Sequence, residues 1–312
     1  MAKGPYISVV VPCYDERDLM QKSHRRLIAV LETLCGRDFE IVYVDDGSTD
    51  GTSALLEGLA SEDQRIKVIQ FTRNFGHQPA IVAGLANSTG DYVAILDSDM
   101  QDPPELLAEM LGELKQTGAD VVYGVRRKRE GESFVRLVLT KLYYRLLRVT
   151  TTIAVPLDAG DFRVMTRQVA MSLVELPEKA KYIRGLTVWL GYRHVPFEYD
   201  REARSGGYSK YSVVKLILLG SAGLTSFGTR LLVLPPLLAT IFLLVTISLA
   251  GCEILDIRYS VSMNLIAYLG VAVVYLCLAI WGLFFSRIYV ELMGRPMYVV
   301  RRKFNCEEFE QE

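Results

Sequence analysis

The sequence is poor in cysteine. Its five cysteines, Cys13, Cys35, Cys252, Cys277 and Cys306, are scattered, odd in number and form no CxxC pair. A disulfide scaffold and a cysteine-based zinc site are therefore excluded, and a reducing compartment suits the bulk of the chain. No sign of charge dominates: 35 Lys plus Arg face 36 Asp plus Glu, for a net charge of -1. Charge balance thus gives no footprint for nucleic acid or another polyelectrolyte. P-loop, HExxH and GxGxxG patterns are missing, which removes ATPase, zinc-protease and dinucleotide readings. A signal-peptide core is missing too. The N-terminal apolar run ISVVVP stops at Pro12 and is too short, so the N-terminal part is expected in the cytosol.

Hydrophobic residues make up 50% of the 312 positions, enough for one large domain or a domain plus a smaller element. Much of the excess sits in two uncharged runs, Leu231–Cys252 and Tyr259–Ser286. The first would make a helix of about 33 Å, against a hydrocarbon core of about 30 Å. Buried helices of a soluble protein are the alternative, but two adjacent runs of this length favour membrane spans. The connector EILDIR is short, which predicts a helical hairpin. Lys210, Lys215 and Arg230 precede it, and Arg287, Arg295, Arg301, Arg302 and Lys303 follow it. Positive-inside reasoning puts both flanks in the cytoplasm. Tyr211–Ser226 reads as an interfacial helix leading into the membrane.

The first part of the chain alternates strand and helix signals. Strands are predicted at Ile7–Pro12, Glu40–Asp46, Ile66–Phe71, Tyr92–Asp97 and Asp120–Gly124. Helical patterns cover Leu19 to Leu34, Ser53–Ala60, Pro79–Ala86 and Glu105–Lys115. Continuous apolar strands between helices imply an α/β fold with a mostly parallel sheet covered on both faces. A polar cluster follows each strand in turn: PCYDE, DDGSTDGT, RNFGH, DSDMQD and GVRRKR. Open α/β sheets bind ligands at the carboxyl ends of their strands, so the five clusters predict one site.

The densest cluster is ILDSDMQDPPE. In extended chain Asp97 and Asp99 would project to one side. Two carboxylates about 4 Å apart repel by about 4 kcal/mol at an effective dielectric near 20. A divalent cation converts that repulsion into binding, and hard oxygen ligands suit Mg2+ or Mn2+ completed by substrate phosphates. An acidic turn capping the helix that Pro103-Pro104 opens is the competing explanation.

Taken in order, VVPCYDE, VDDGSTDGT, RNFG and DSDMQDPPE resemble the inverting family-two glycosyltransferases of the GT-A fold. AGDFRVM, RGLTVWLGY, DREARSGGYSKY and RIYVELMGRPMYVV narrow the resemblance to the polyprenyl-phosphate glycosyltransferases, which include bactoprenol glucosyltransferases and relatives of dolichol-phosphate mannose synthase. It runs over nearly the whole chain. It implies a cytoplasmic GT-A domain over 1–208, a juxtamembrane amphipathic helix over 209–228, two transmembrane helices within 229–290 (about 231–252 and 259–286) and a cytoplasmic tail over 291–312. The implied reaction moves a sugar from a nucleotide-sugar donor to polyprenyl phosphate at a membrane, with inversion. UDP-glucose is the expected donor; GDP-mannose or a UDP-N-acetylhexosamine is the alternative, and a homotetramer is compatible.

By the same resemblance, Pro12, Tyr14, Glu16, Val44, Asp45, Asp46, Asp97 and Ser98 hold the donor. Asp97, Asp99 and Gln101 hold the metal. Arg126, Arg201, Arg204 and Lys210 meet the acceptor phosphate or the diphosphate. Arg127 to Arg129 fit either that role or a basic surface facing anionic lipid. Asp161 either orients the acceptor, acts as a base or pairs with Arg163, with Asp99 and Arg163 completing the expected catalytic set. His77 stands where the family has a lysine-like position, as a donor-side group or a surface-loop residue. Two other readings stay open. A processive polysaccharide synthase would carry QxxRW, which neither Trp189 nor Trp281 supplies. A non-catalytic nucleotide-sugar sensor is the reading of another class.

Overall fold

The computed structural model describes residues 6–127, 145, 159–201, 229–254 and 263–306. Within these, two compact units separate. The first runs β1 (Ile7–Cys13), α1 (Arg17–Cys35), β2 (Phe39–Asp45), α2 (Thr52–Glu62), β3 (Ile66–Phe71), α3 (His77–Ala86), β4 (Tyr92–Ile95), α4 (Leu107–Thr117) and β5 (Val121–Arg126). It continues through β6 (Ala159–Thr166), α5 (Arg167–Glu175), α6 (Ile183–Trp189) and β7 (His194–Tyr199), and closes with β8 (Val300–Phe304). The second holds α7 (Leu234–Ile254) and α8 (Met263–Leu292).

One sheet in the order β7-β5-β6-β4-β1-β2-β3-β8 organises the first unit. β1 lies between β2 and β4 and is parallel to both, and β2–β3 and β5–β7 are also parallel. β6 is antiparallel to β4 and β5, and β8 is antiparallel to β3. Every residue of β1, β2 and β3 is buried, the expected pattern for parallel strands covered on both faces. Met20, Leu27 and Leu31 of α1 join Leu56 of α2 and Leu107, Met110 and Leu111 of α4 in the main core cluster. The strand run ends at the carboxyl edge with Gly47, whose φ is 72°. A Cβ there would lie 2.7 Å from Asn74 N, so only glycine lets the β2 and β3 loops approach.

Three strands go beyond the five read from the sequence. β6 inserts into the sheet through the AGDFRVM segment, quoted above only as a motif. β7 is an edge strand containing Pro196, a placement proline tolerates. β8 falls in the segment read as a tail. Its VRRKF sequence is too cationic to resemble a core strand, yet charge is what protects a sheet edge. Asn305 fixes it, its Nδ2 donating to Ala60 O (2.6 Å) and Ile66 O (2.9 Å). Tyr298 stacks on Phe71 at 4.9 Å between centroids.

In the second unit, Pro235 and Pro236 occupy the first turn of α7, where the missing N–H groups have no helical partner anyway. α8 extends past the expected Ser286, through Arg287 and Glu291 to Leu292. Both helices are long and apolar enough to cross a membrane. Their large side chains point outward: Leu244 is 61% exposed, Tyr275 69% and Phe285 66%. Few of the described residues in either span are buried, unlike those of a core helix in a soluble protein. Phe242 packs its ring on Gly270, where any Cβ would overlap it. The interfacial helix of 209–228 and the connector 255–258 lie outside the described residues.

Candidate active site

The carboxyl edge of β1, β2 and β4 carries the clusters. Cys13 and Asp45 stand opposite each other at the ends of β1 and β2. Beyond them two loops lace together. Asp15, with φ 51°, accepts from Thr49 N (2.7 Å), while Asp15 N donates to Ser48 Oγ (3.0 Å) and Glu16 N to Thr52 Oγ1 (3.1 Å). Tyr14 is left exposed on this rim. Pro12 and Val44 pair in register near the ends of β1 and β2, and both are buried.

Asp45 and Asp46 both bond to loop groups at this edge. Asp45 accepts from Ser48 N (3.0 Å) and from the Ser53 hydroxyl. Asp46 receives Phe75 N–H at 2.6 Å and Gly76 N–H at 2.9 Å, one on each oxygen. Burial pushes its carboxyl up, against the lowering by those two N–H groups. Both aspartates hold loops in place and are nearly fully buried.

The Asp97–Gln101 segment is a turn and not the extended chain assumed above. Met100 N donates to Asp97 O (3.2 Å), Met100 has φ 48° and is buried, and Gln101 N donates to Asp99 Oδ1 (3.2 Å). Local hydrogen bonding of Asp to backbone two residues on is what selects the turn. Ser98 is buried within it. Asp97 Oδ1 is buried and has no hydrogen-bond partner. Burial first, then the nearby Asp161, Asp102 and Asp99, raise the Asp97 carboxyl; His77 opposes them. An orphaned carboxylate oxygen in a field of carboxylates fits a divalent cation. Among the described residues no three His, Cys, Asp or Glu side chains form a ready cage. An incomplete protein shell is what Mg2+ or Mn2+ needs to take up phosphate oxygens.

His77, at the first turn of α3, belongs to the site. Its Nε2 lies 3.6 Å from Asp97 Oδ1 and 3.4 Å from Asp161 Oδ2. Burial would lower the imidazole, but Asp161 and Asp97 outweigh it and raise it. Arg184, in α6, grips Asp161 through both oxygens, Nε at 2.9 Å and Nη2 at 2.8 Å. Burial alone would raise the Asp161 carboxyl; Arg184 and then His77 reverse that and hold it well below the usual carboxylate range. A carboxylate so stabilised is a poor proton acceptor and a good orienting group.

Asp161 favours the folded state most above about pH 4 and loses that contribution as pH falls further, because its folded value lies below its unfolded one. Asp161→Asn should therefore shrink the gap in thermal midpoint between about pH 7 and about pH 3. Parallel midpoint curves for variant and parent would contradict this.

Arg163 needs correction as a catalytic residue. It is 2% exposed, and its guanidinium donates to Thr187 Oγ1 (2.8 Å), Gly160 O (3.0 Å) and Asp161 O (3.2 Å). Burial lowers it to about 10. Arg163 props the β6–α6 junction and has no surface to offer a substrate. Asp161 and Arg163 are two apart and share a face of the central strand β6; what separates them is their partners, since the Arg163 guanidinium is taken up by Thr187 and Gly160 in the interior.

The basic residues gather on Asp102, which is 0% exposed. Tyr199 Oη donates to it at 2.5 Å, Arg201 Nε at 3.1 Å and Arg126 Nη2 at 3.5 Å. Arg126 stands opposite Tyr199 in the β5–β7 register. Arg204 and Lys210 lie outside the described residues. Sequence reasoning left Arg184, Asp102 and Tyr199 unassigned. Arg184 and Asp102 sit inside the quoted motifs RGLTVWLGY and DSDMQD, which was the available signal; Tyr199 carried none.

Comparison with known proteins gives this geometry a family. Residues 8–174 match the model of glycosyl transferase family 2. An uncharacterized glycosyltransferase, YkcC of Bacillus subtilis (strain 168), is 36% identical over 98% of this chain and 97% of its own length. The bactoprenol glucosyl transferase of Shigella phage SfX is 32% identical over 95% of this chain and 99% of its own. Among solved structures, a mycobacterial protein superimposes with TM-score 0.51 at 23% identity, covering 73% of this chain and 75% of that one. Glucosyl-3-phosphoglycerate synthase from Mycobacterium tuberculosis, in complex with Mn2+, UDP-glucose and phosphoglyceric acid, gives TM-score 0.50 at 21% identity, covering 73% and 80%. The structural likenesses establish a GT-A-like sheet. Full-length identity at this level, with the family match over more than half the chain, makes this protein a member of glycosyl transferase family 2, closely related to the bactoprenol glucosyl transferases.

Proposed function

We propose that this glycosyltransferase transfers glucose from UDP-glucose to the phosphate of a membrane polyprenol such as undecaprenyl phosphate, with inversion at the anomeric carbon. One observation carries the reading: Arg126 and Arg201 share the buried Asp102 at the sheet edge that also holds Asp97 and Asp161. Paired guanidiniums suit phosphate oxygens. The names of full-length relatives and the two apolar helices support a lipid-borne phosphate.

An acceptor phosphate oxygen attacks the anomeric carbon as the bond to the departing UDP oxygen breaks. The nucleophile is already anionic near neutral pH, so positioning and charge neutralisation replace a strong base. That agrees with an Asp161 locked by Arg184. Asp97, Asp99 and Gln101 would hold Mg2+ or Mn2+, which when bound supplies Lewis-acid stabilisation of the leaving diphosphate. Tyr14 and Glu16, presented by the laced loops, would meet the nucleotide. His77, between Asp97 and Asp161, keeps those two carboxylates from repelling each other before the donor arrives.

The helices would span the membrane, with the catalytic unit and both flanks in the cytoplasm. Chain connectivity supports this, since the chain leaves the sheet unit before α7 and rejoins it as β8.

The test uses the purified chain in nanodiscs with undecaprenyl phosphate, Mn2+ and a panel of labelled nucleotide sugars. Label should pass from UDP-glucose into an acid-labile, lipid-extractable product, and EDTA should stop it. Faster transfer from GDP-mannose or a UDP-N-acetylhexosamine would replace the donor. Binding of UDP with no lipid product from any donor would favour a sensor.

A further inference from the structure

Asp102 belongs to the same turn segment as Asp97 and Asp99, yet it is fully buried and faces the basic cluster. Its carboxylate receives three donors. Tyr199 and Arg201 bond to Oδ1, and Arg126 reaches Oδ2. Each arginine commits only part of its fork. Arg126 uses Nε on Tyr199 Oη (3.4 Å) and Nη2 on Asp102; Arg201 uses Nε. Among the described residues, Arg126 Nη1 and both Nη atoms of Arg201 have no acceptor. The two side chains keep about a quarter of their surface exposed, 26% and 27%.

We infer that Asp102 is a positioning residue: it holds Arg126 and Arg201 side by side so that their remaining N–H groups converge on the phosphate of the lipid acceptor. This inference rests on the acceptor reading above.

Two guanidiniums at one site repel, and each long side chain has many rotamers to lose. A buried carboxylate between them offsets the repulsion and fixes both before an anion arrives. The same charge also repels the incoming phosphate. Pre-ordering wins, because the arginines stand between Asp102 and solvent and because Asp102 accepts hydrogen bonds from both. The geometry also ties the two halves of the reaction together. On the reading above Asp97, Asp99 and Gln101 serve the donor side, and the next residue anchors the acceptor cations, so the segment sets the spacing between them. Tyr199 orients the carboxylate through its own bond; burial first, then the Asp102 charge, push its phenol up.

The experiment measures equilibrium binding of undecaprenyl phosphate, and separately of UDP with Mn2+, to the full chain in detergent. Asp102→Asn, which keeps the shape and removes the charge, should weaken lipid binding by about tenfold or more while UDP affinity stays within about twofold of the parent. Arg201→Ala, measured alongside, should weaken lipid binding as well. If Arg201→Ala weakens it but Asp102→Asn leaves it unchanged or tightens it, the positioning role is overturned and the acceptor site stands. If Arg201→Ala has no effect, the acceptor reading fails and this inference with it. An equal loss of UDP affinity in Asp102→Asn also overturns the role, since a general loosening of the loop would do that. Should Asp102→Asn fail to fold, Tyr199→Phe decides: a loss of about threefold in lipid affinity supports the inference, and an unchanged value overturns it.

Discussion

Asp99→Ala is expected to cut sugar transfer by about a thousandfold or more while leaving the sheet folded. Lewis-acid stabilisation of a leaving diphosphate contributes several kcal/mol, and each 1.36 kcal/mol is tenfold in rate. Removing one of two carboxylates from an already incomplete shell should forfeit about 4 kcal/mol of it. Asp99 accepts from Gln101 N within the turn and is only partly buried, outside the hydrophobic core that holds the sheet together. Initial rates at saturating donor and metal, set beside the thermal midpoint, test this. Near-normal turnover in a folded variant would remove Asp99 from the metal.

The second large effect lies at the other end of the strands and concerns stability alone. Glu40 is 5% exposed and accepts four bonds: Ser8 Oγ at 2.6 Å, Thr89 N at 2.6 Å, Thr89 Oγ1 at 2.8 Å and Lys67 Nζ at 2.7 Å. Lys67 is itself 8% exposed and otherwise meets Asn87 O at 3.3 Å and Thr89 Oγ1 at 3.4 Å. Glu40→Ala would strand the Lys67 ammonium in the interior, a loss of about 3–5 kcal/mol. For a unit of this size that lowers the thermal midpoint by roughly 6–20 °C. Replacing Glu40 and Lys67 together by leucine should lose much less, because no charge remains unpaired. Transfer rates measured well below the midpoint should stay near those of the parent, since Ser8 and Glu40 open their strands while the acidic turn closes β4. A single variant as stable as the double one would show that the pair is not coupled.

The contrast between Glu40 and Asp99 shows how much of the site was legible. Both are acidic residues next to apolar strand runs. Strand polarity separates them: clusters after a strand face the ligand edge, as DSDMQD and RNFGH do. His77 lies in such a cluster, where the sequence left it between a donor-side group and a surface-loop residue, and the structure brings it within 4 Å of both Asp97 and Asp161. Arg163 does not. Motif resemblance names a segment but not which way each side chain points. AGDFR became a central antiparallel strand in which Asp161 reaches Arg184 and Arg163 turns inward to Thr187.

The sequence by itself determined the alternation of strands and helices, the acidic cluster after β4, the two long apolar helices and the family. These are local or periodic properties: side chains alternate along a strand, repeat along a helix, and keep their order in a motif. Only the tertiary structure decided that Val300–Phe304 closes the sheet, that Asp45 and Asp46 hold loops, and that Asp102 collects Tyr199, Arg126 and Arg201 from 24 to 99 residues away. Such pairings depend on sheet order and burial. A carboxylate's partners are fixed by whatever the fold carries to it once water has been excluded.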